Sequence, residues 1–194
     1  MEVVSRRQAG MAMLESLFAM AVLMVGMLGI CGLQAKTQTS HFEAYQRAQA
    51  LLLLDDIANR INANRSAADC YAYTGANGIP YLGANGADHR VDNSCAALTG
   101  TVQTRAISQN GMAEWDLLLQ GAAEIDGGAS RGAMIDARGC VSFDAVTDLY
   151  TVAIAWQGMM PTMAPANPCA NGLYGPETNR RVVTTSFRIA SLAN

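Results

Sequence analysis

Residues 11–33, MAMLESLFAMAVLMVGMLGICGL, constrain this chain more than any other stretch. Glu15 is the only formally charged side chain in it, and from Leu17 to Leu33 there is none. About 20 consecutive apolar residues span a bilayer as a helix, so residues 11–34 are predicted to form a membrane helix. Arg6 and Arg7 precede the run. By the positive-inside rule they hold the N-terminus in the cytoplasm, and the rest of the chain then lies across the membrane, in the periplasm.

A basic start followed by an apolar run also describes a secretory signal peptide. The cleavage signals are poor: Ala19 and Ala21 lie inside the run, Leu33-Gln34-Ala35 lacks a small first residue, and Leu28-Gly29-Ile30-Cys31 places bulky Ile30 where a lipoprotein box needs a small side chain. These features argue against cleavage after the run. The stretch Gly10-Met11-Ala12-Met13-Leu14-Glu15 instead ends a short basic leader on Gly and puts an acid five residues later. It resembles the class III signal peptides of type IV prepilins, which are cut after a Gly, before the apolar run. Met11 stands where that family commonly has Phe.

The resemblance continues in Gly29-Ile30-Cys31-Gly32-Leu33-Gln34, in Tyr45-Gln46-Arg47-Ala48-Gln49-Ala50 and in Ile57-Ala58-Asn59-Arg60-Ile61-Asn62-Ala63-Asn64-Arg65. Further on it includes Val152-Ala153-Ile154-Ala155-Trp156-Gln157-Gly158 and Arg180-Arg181-Val182-Val183-Thr184-Thr185-Ser186-Phe187. These segments are similar to the minor pilins called type IV pilus modification protein PilV, closely over the first 65 residues and in patches afterwards. The resemblance implies removal of leader 1–10 at Gly10 by a prepilin peptidase and N-methylation of Met11. It also implies pairing of Glu15 with an N-terminal amine, its own or a neighbour's, during filament assembly. The implied partners are other minor pilins, the major pilin and an inner-membrane assembly platform. The implied location is the inner membrane, with low-copy incorporation into a pilus. The implied fold is a long N-terminal helix on a small antiparallel sheet.

From the residues alone Glu15 has two readings. Near a helix N-terminus at the headgroup boundary, the macrodipole favours its charge and no role is required. Deeper in lipid a carboxylate is costly unless paired. Gly26, Gly29 and Gly32 recur every third residue, which lets neighbouring helices approach closely, permits local melting, or reflects only that Gly is common in membrane helices. Beyond Gln34 no Pro or Gly interrupts the pattern. Residues 12–64 therefore read as one helix of roughly 80 Å, whose periplasmic half is 35–65. Lys36, Glu43, Arg47 and Asp55 are polar there. Phe42, Tyr45, Ala48, Leu52, Leu54, Ile57, Ala58 and Ile61 form an apolar stripe. Asn62, Asn64 and Ser66 favour a stop.

Residues 66–194 read as a globular domain. Gly75-Ala76-Asn77-Gly78 recurs as Gly83-Ala84-Asn85-Gly86, two Asn-Gly turns. Tyr71, Tyr73, Ile79, Tyr81 and Leu82 are expected to fold onto the helix. Residues 111–123 are predicted helical, with Met112, Trp115, Leu118 and Leu119 on one side and Asn110 as cap. Trp115 reads as core. The family has a Trp-bearing helix before a Gly-rich turn, matched here by Asp126-Gly127-Gly128. Strands are expected at 132–136 leading into 140–143, at 149–156 and at 182–189, with the proline-rich 160–176 as a loop. In the second strand Tyr150, Val152, Ile154 and Trp156 share one face. Consecutive strands make an antiparallel meander, so the fold class is α+β.

Four cysteines, Cys70, Cys95, Cys140 and Cys169, fall in the exported part, where three pairings are possible. Cys70–Cys95 and Cys140–Cys169 are favoured because each closes a loop rich in Gly, Asn and Pro. Cys31 reads as a small apolar residue of the membrane helix.

The chemistry looked for is largely missing. There is no C-x-x-C and no phosphate loop. His41 and His89 lie far apart. Adjacent Asp55 and Asp56 do not share a helix face. Asp88, Asp92 and Asn93 could offer oxygen ligands to calcium but lack the EF-hand spacing, and a solvated loop is the simpler reading. The net charge of -3 and scattered Lys and Arg do not indicate a nucleic-acid surface. The expectation is a non-catalytic protein without metal or cofactor, in contact with lipid but not nucleic acid. Three classes compete: a minor pilin, a minor pseudopilin of a type II secretion system, and an adhesin or binding module presenting the 66–104 and 159–177 loops.

Overall fold

The computed structural model describes residues 6–83, 100–122, 125–126, 129–130 and 134–190, with residues 6–11, 125–126 and 129–130 described by their backbone alone. The chain divides into two compact units, Met1–Phe42 and Glu43–Asn194. A single helix, α1 (Arg6–Ala63), runs through both.

From Leu17 to Leu33 α1 is apolar on every side. Every large apolar side chain from Met13 to Leu33 is more than half exposed, and the most apolar window has a mean hydropathy of 2.3 with none of it buried. Such a helix is long and apolar enough to cross a membrane once.

In the second unit α1 buries one row, Gln46, Ala50, Leu54, Ile57 and Ile61. Their spacings of four, four, three and four keep them on one face. The predicted stripe was too wide. Phe42, Tyr45 and Leu52 are exposed, because their equally regular spacing traces a neighbouring row of the same helix. After α1 the chain turns through a short 3-10 segment, Arg65–Tyr71.

The second helix, α2 (Val102–Leu119), starts well before the expected 111. Thr101 caps it. Its hydroxyl accepts from Thr104 N–H, and the Thr104 hydroxyl accepts from Thr101 N–H, a reciprocal capping box. Asn110, expected as the cap, lies in the helix interior. The helix stops at Leu119 because Gly121 adopts φ 83°. There Gly121 N–H donates to Leu118 O and Ala122 N–H to Leu117 O, the Schellman arrangement.

A short antiparallel pair follows, β1 (Ile125–Asp126) and β2 (Ala129–Ser130); the Gly127-Gly128 of the expected turn lies outside the described residues. The main sheet is β3 (Arg138–Asp144), β4 (Leu149–Gln157) and β5 (Arg180–Phe187), antiparallel in the order β3-β4-β5. The expected strand at 132–136 does not form over its described residues 134–136. Asp136 has φ 54°, a left-handed backbone that a strand does not use. β5 begins two residues earlier than expected.

The alternation read in β4 separates two cores. Tyr150, Val152, Ile154 and Trp156 join α1, Trp115, Leu119 and Leu82 in the larger one. Ala153 and Ala155 join Tyr81, Cys140, Cys169, Ala170 and Tyr174 in a smaller core on the opposite face. Tyr71, Tyr73 and Leu82 thus pack with the helix as expected, whereas Ile79 and Tyr81 pack on the far side of the sheet. Trp115 is fully buried and its indole N–H donates to Leu53 O at 2.9 Å. Tyr150 lies between Phe143 and Phe187, with ring centroids at 4.5 and 6.0 Å. Burial and a hydrogen bond to Asp69 push its hydroxyl above the ordinary tyrosine value.

Candidate functional site

Gly10 and Met11 lie within α1, one turn before Glu15. Glu15 is exposed, and among the described residues it has neither an ion-pair nor a hydrogen-bond partner. The Ser16 hydroxyl donates to Met13 O at 2.9 Å. Further along, a Cβ at Gly26, Gly29 or Gly32 would meet nothing within 4 Å, so the three glycines leave bare backbone on the helix surface. Cys31 is a free, exposed thiol. Thr37, Thr39 and Ser40 return their hydroxyls to the carbonyls of Leu33, Ala35 and Lys36. These polar side chains therefore make their hydrogen bonds within the helix.

The second unit holds the 159–177 loop in place by three devices. Arg180, 2% exposed, donates to Asn167 O at 2.6 Å, Cys169 O at 3.0 Å and Pro165 O at 3.2 Å, and to Glu177 at 2.6 Å. Glu177 in turn accepts from Gly172 N–H at 2.7 Å. Burial works against the Glu177 carboxylate, but the Gly172 N–H and Arg180 hold it below the usual range. The Cys140–Cys169 disulfide forms as expected and ties this loop to β3. At the loop's start, Glu43 Oε1 accepts from Met159 N–H, Met160 N–H and Arg181 at 3.1 to 3.2 Å.

Neither Glu43 nor Arg180 stood out in the sequence. The usable signal for Arg180 was an Arg directly after a proline-rich loop, where many carbonyls lack strand partners.

In the other candidate loop, Gly78 N–H donates to Gly75 O at 3.0 Å, closing the first Asn-Gly turn. Its repeat, together with His89, Asp88, Asp92, Asn93 and Cys95, falls mostly outside the described residues. Cys70 is disulfide-bonded. A cleft of about 590 Å³ lies between the end of α1 and α2, lined among others by Arg60, Asn64, Tyr71, Thr104, Asn110 and Glu114. Arg60 bonds Asp56 at 2.8 Å and Glu114 at 2.6 Å. No three His, Cys, Asp or Glu side chains gather as a metal site among the described residues.

No family model, curated protein or solved structure matches the chain. The long apolar N-terminal helix followed by a small antiparallel sheet is nevertheless a pilin-like architecture.

Proposed function

We propose that the chain is a minor pilin, a non-catalytic structural subunit that helps initiate, assemble or modify a type IV pilus and enters the filament at low copy. The observation that carries this reading is one helix combining a basic start, Gly10 and Glu15 with an apolar surface that the chain itself leaves bare. A prepilin peptidase removes residues 1–10, Met11 becomes the methylated N-terminus, and the second unit lies in the periplasm. The helix then packs among those of other minor pilins and the major pilin at the inner-membrane platform. Gly26, Gly29 and Gly32 provide close approach.

Glu15 gives this assembly its chemistry. Among packed apolar helices there is little water, so its charge needs a positive partner. After processing the only positive group nearby is an N-terminal amine, because Lys36 lies about 30 Å further along the helix. Glu15→Gln keeps size and hydrogen-bonding capacity but removes the charge. It should leave leader cleavage and membrane insertion unchanged while reducing crosslinking to other minor pilins and incorporation into pili. Normal copurification with those partners and wild-type piliation would sink the charge-pairing role. Intact mass of protein from the native host tests processing, and a mature chain starting at Met1, Val22 or Cys31 would remove the basis for the assignment. Deletion of the gene should abolish surface pili and spare protein secretion. Lost secretion with intact pili would point to the pseudopilin class instead.

A further inference from the structure

We propose that Met159, Met160 and Met163 form a surface site for a soft monovalent cation, Cu(I) or its redox-inert analogue Ag(I). Three of the chain's 11 methionines fall within these five residues. These residues are 52%, 54% and 90% exposed, although a methionine loses nothing by packing into a core, where its flexibility makes it a gap-filler.

The backbone that carries them is tied down. Gly158 N–H donates to Asn179 O at 2.7 Å and Thr162 N–H to Thr178 O at 2.8 Å. Met159 and Met160 N–H donate to Glu43, and Met160 O accepts from Arg181. With these groups engaged, the thioether sulfurs are the ligands the segment has to offer. Pro161 restricts the chain between Met160 and Met163, whose Cα atoms are at most about 11 Å apart. Each side chain has three rotatable bonds, enough for both sulfurs to close on one ion, with Met159 as a third ligand.

The ligand set decides the metal. Thioethers are soft and neutral and select Cu(I) over zinc, magnesium or calcium. Glu43 Oε1, the carboxylate oxygen that holds the Met159 and Met160 amides, already accepts three hydrogen bonds. Its ion pair with Arg181 at 3.1 Å offsets the guanidinium charge that would repel a cation. The site is independent of any role in a filament.

Full-length protein in detergent, carrying Cys31→Ala so that the free thiol does not compete, is titrated with Ag(I) while the methionine methyl groups are followed by NMR. The expected result is a saturable shift of the Met160 and Met163 methyls, and of Met159, at one ion per chain. The buried Met112 and Met134 stay unmoved, and Zn(II) has no effect. Met160→Leu with Met163→Leu conserves volume and should weaken binding at least tenfold, with the Cys140–Cys169 bond and the circular dichroism unchanged. Absence of a saturable shift, equal binding by the double variant, shifts confined to methionines of the 11–33 stretch, or the same response to Zn(II) would each overturn the proposal.

Discussion

At the scale of single residues, several positions are set by what lies against them. A Cβ at Gly139 would sit 2.3 Å from the Trp115 ring and 2.7 Å from Leu119. The close approach of β3 to α2 therefore depends on a missing side chain. Gly139→Ala should destabilise the second unit by roughly 1–3 kcal/mol, as overpacking does, and a urea titration followed by Trp115 fluorescence would read it. Glu177 makes a pH-dependent clamp. Its folded carboxyl is held below the usual 4.5, so its contribution is complete above that value and is lost as pH falls through the lower folded one. Hydrogen exchange at the Gly172 amide, scaled for intrinsic rate, should gain protection between pH 3 and pH 6. A flat profile would show that Arg180 and the disulfide suffice without Glu177. Trp115 was legible as core because it is large, apolar and at helical spacing. Arg180 was not, since its four acceptors lie three to fifteen residues away along a loop without periodicity.

Among the elements, α2 shows where local preference is overruled. Asn110 and Gly111 are poor helix formers, yet the helix runs through them because the Thr101–Thr104 box starts it and Met112, Trp115 and Leu119 bury its face. Gly111 has room for a methyl group: a Cβ there would lie 3.4 Å from the Tyr71 hydroxyl and 3.8 Å from Arg60, ordinary contacts. Gly111→Ala should therefore stabilise the protein by about 0.5–1 kcal/mol, visible as a raised urea midpoint. A lowered midpoint would mean that the cleft beside α2 needs the glycine. The capping box escaped the sequence reading because its third helical residue is Thr, not the Glu or Gln that marks the usual pattern.

For the whole molecule, the sheet is covered on both faces, by helices on one and by loops fastened through Cys140–Cys169 on the other. Cys140 and Cys169 are separated by 29 residues, for which chain entropy gives about 3–4 kcal/mol. Cys140→Ala with Cys169→Ala should lower stability by that order and expose the smaller core. Limited proteolysis should then cut first within 159–177. Cleavage elsewhere first would show that Arg180 alone retains the loop.

The sequence by itself determined the apolar helix, the basic start before it, the α+β class and the approximate positions of three strands. Each is written in a contiguous run or in a period of two or of 3.6 residues, and such signals act within a turn or two of the chain. Tertiary structure alone decided which of two regular rows on α1 is buried, since Tyr45 and Leu52 repeat as faithfully as Ala50 and Leu54. It also decided that Ile79 and Tyr81 cross to the far face of the sheet, and that Arg180 and Glu43 organise one loop. Those outcomes depend on contacts between residues distant in sequence, such as Glu43 with Arg181, where the partner's position and not the local pattern sets the energy.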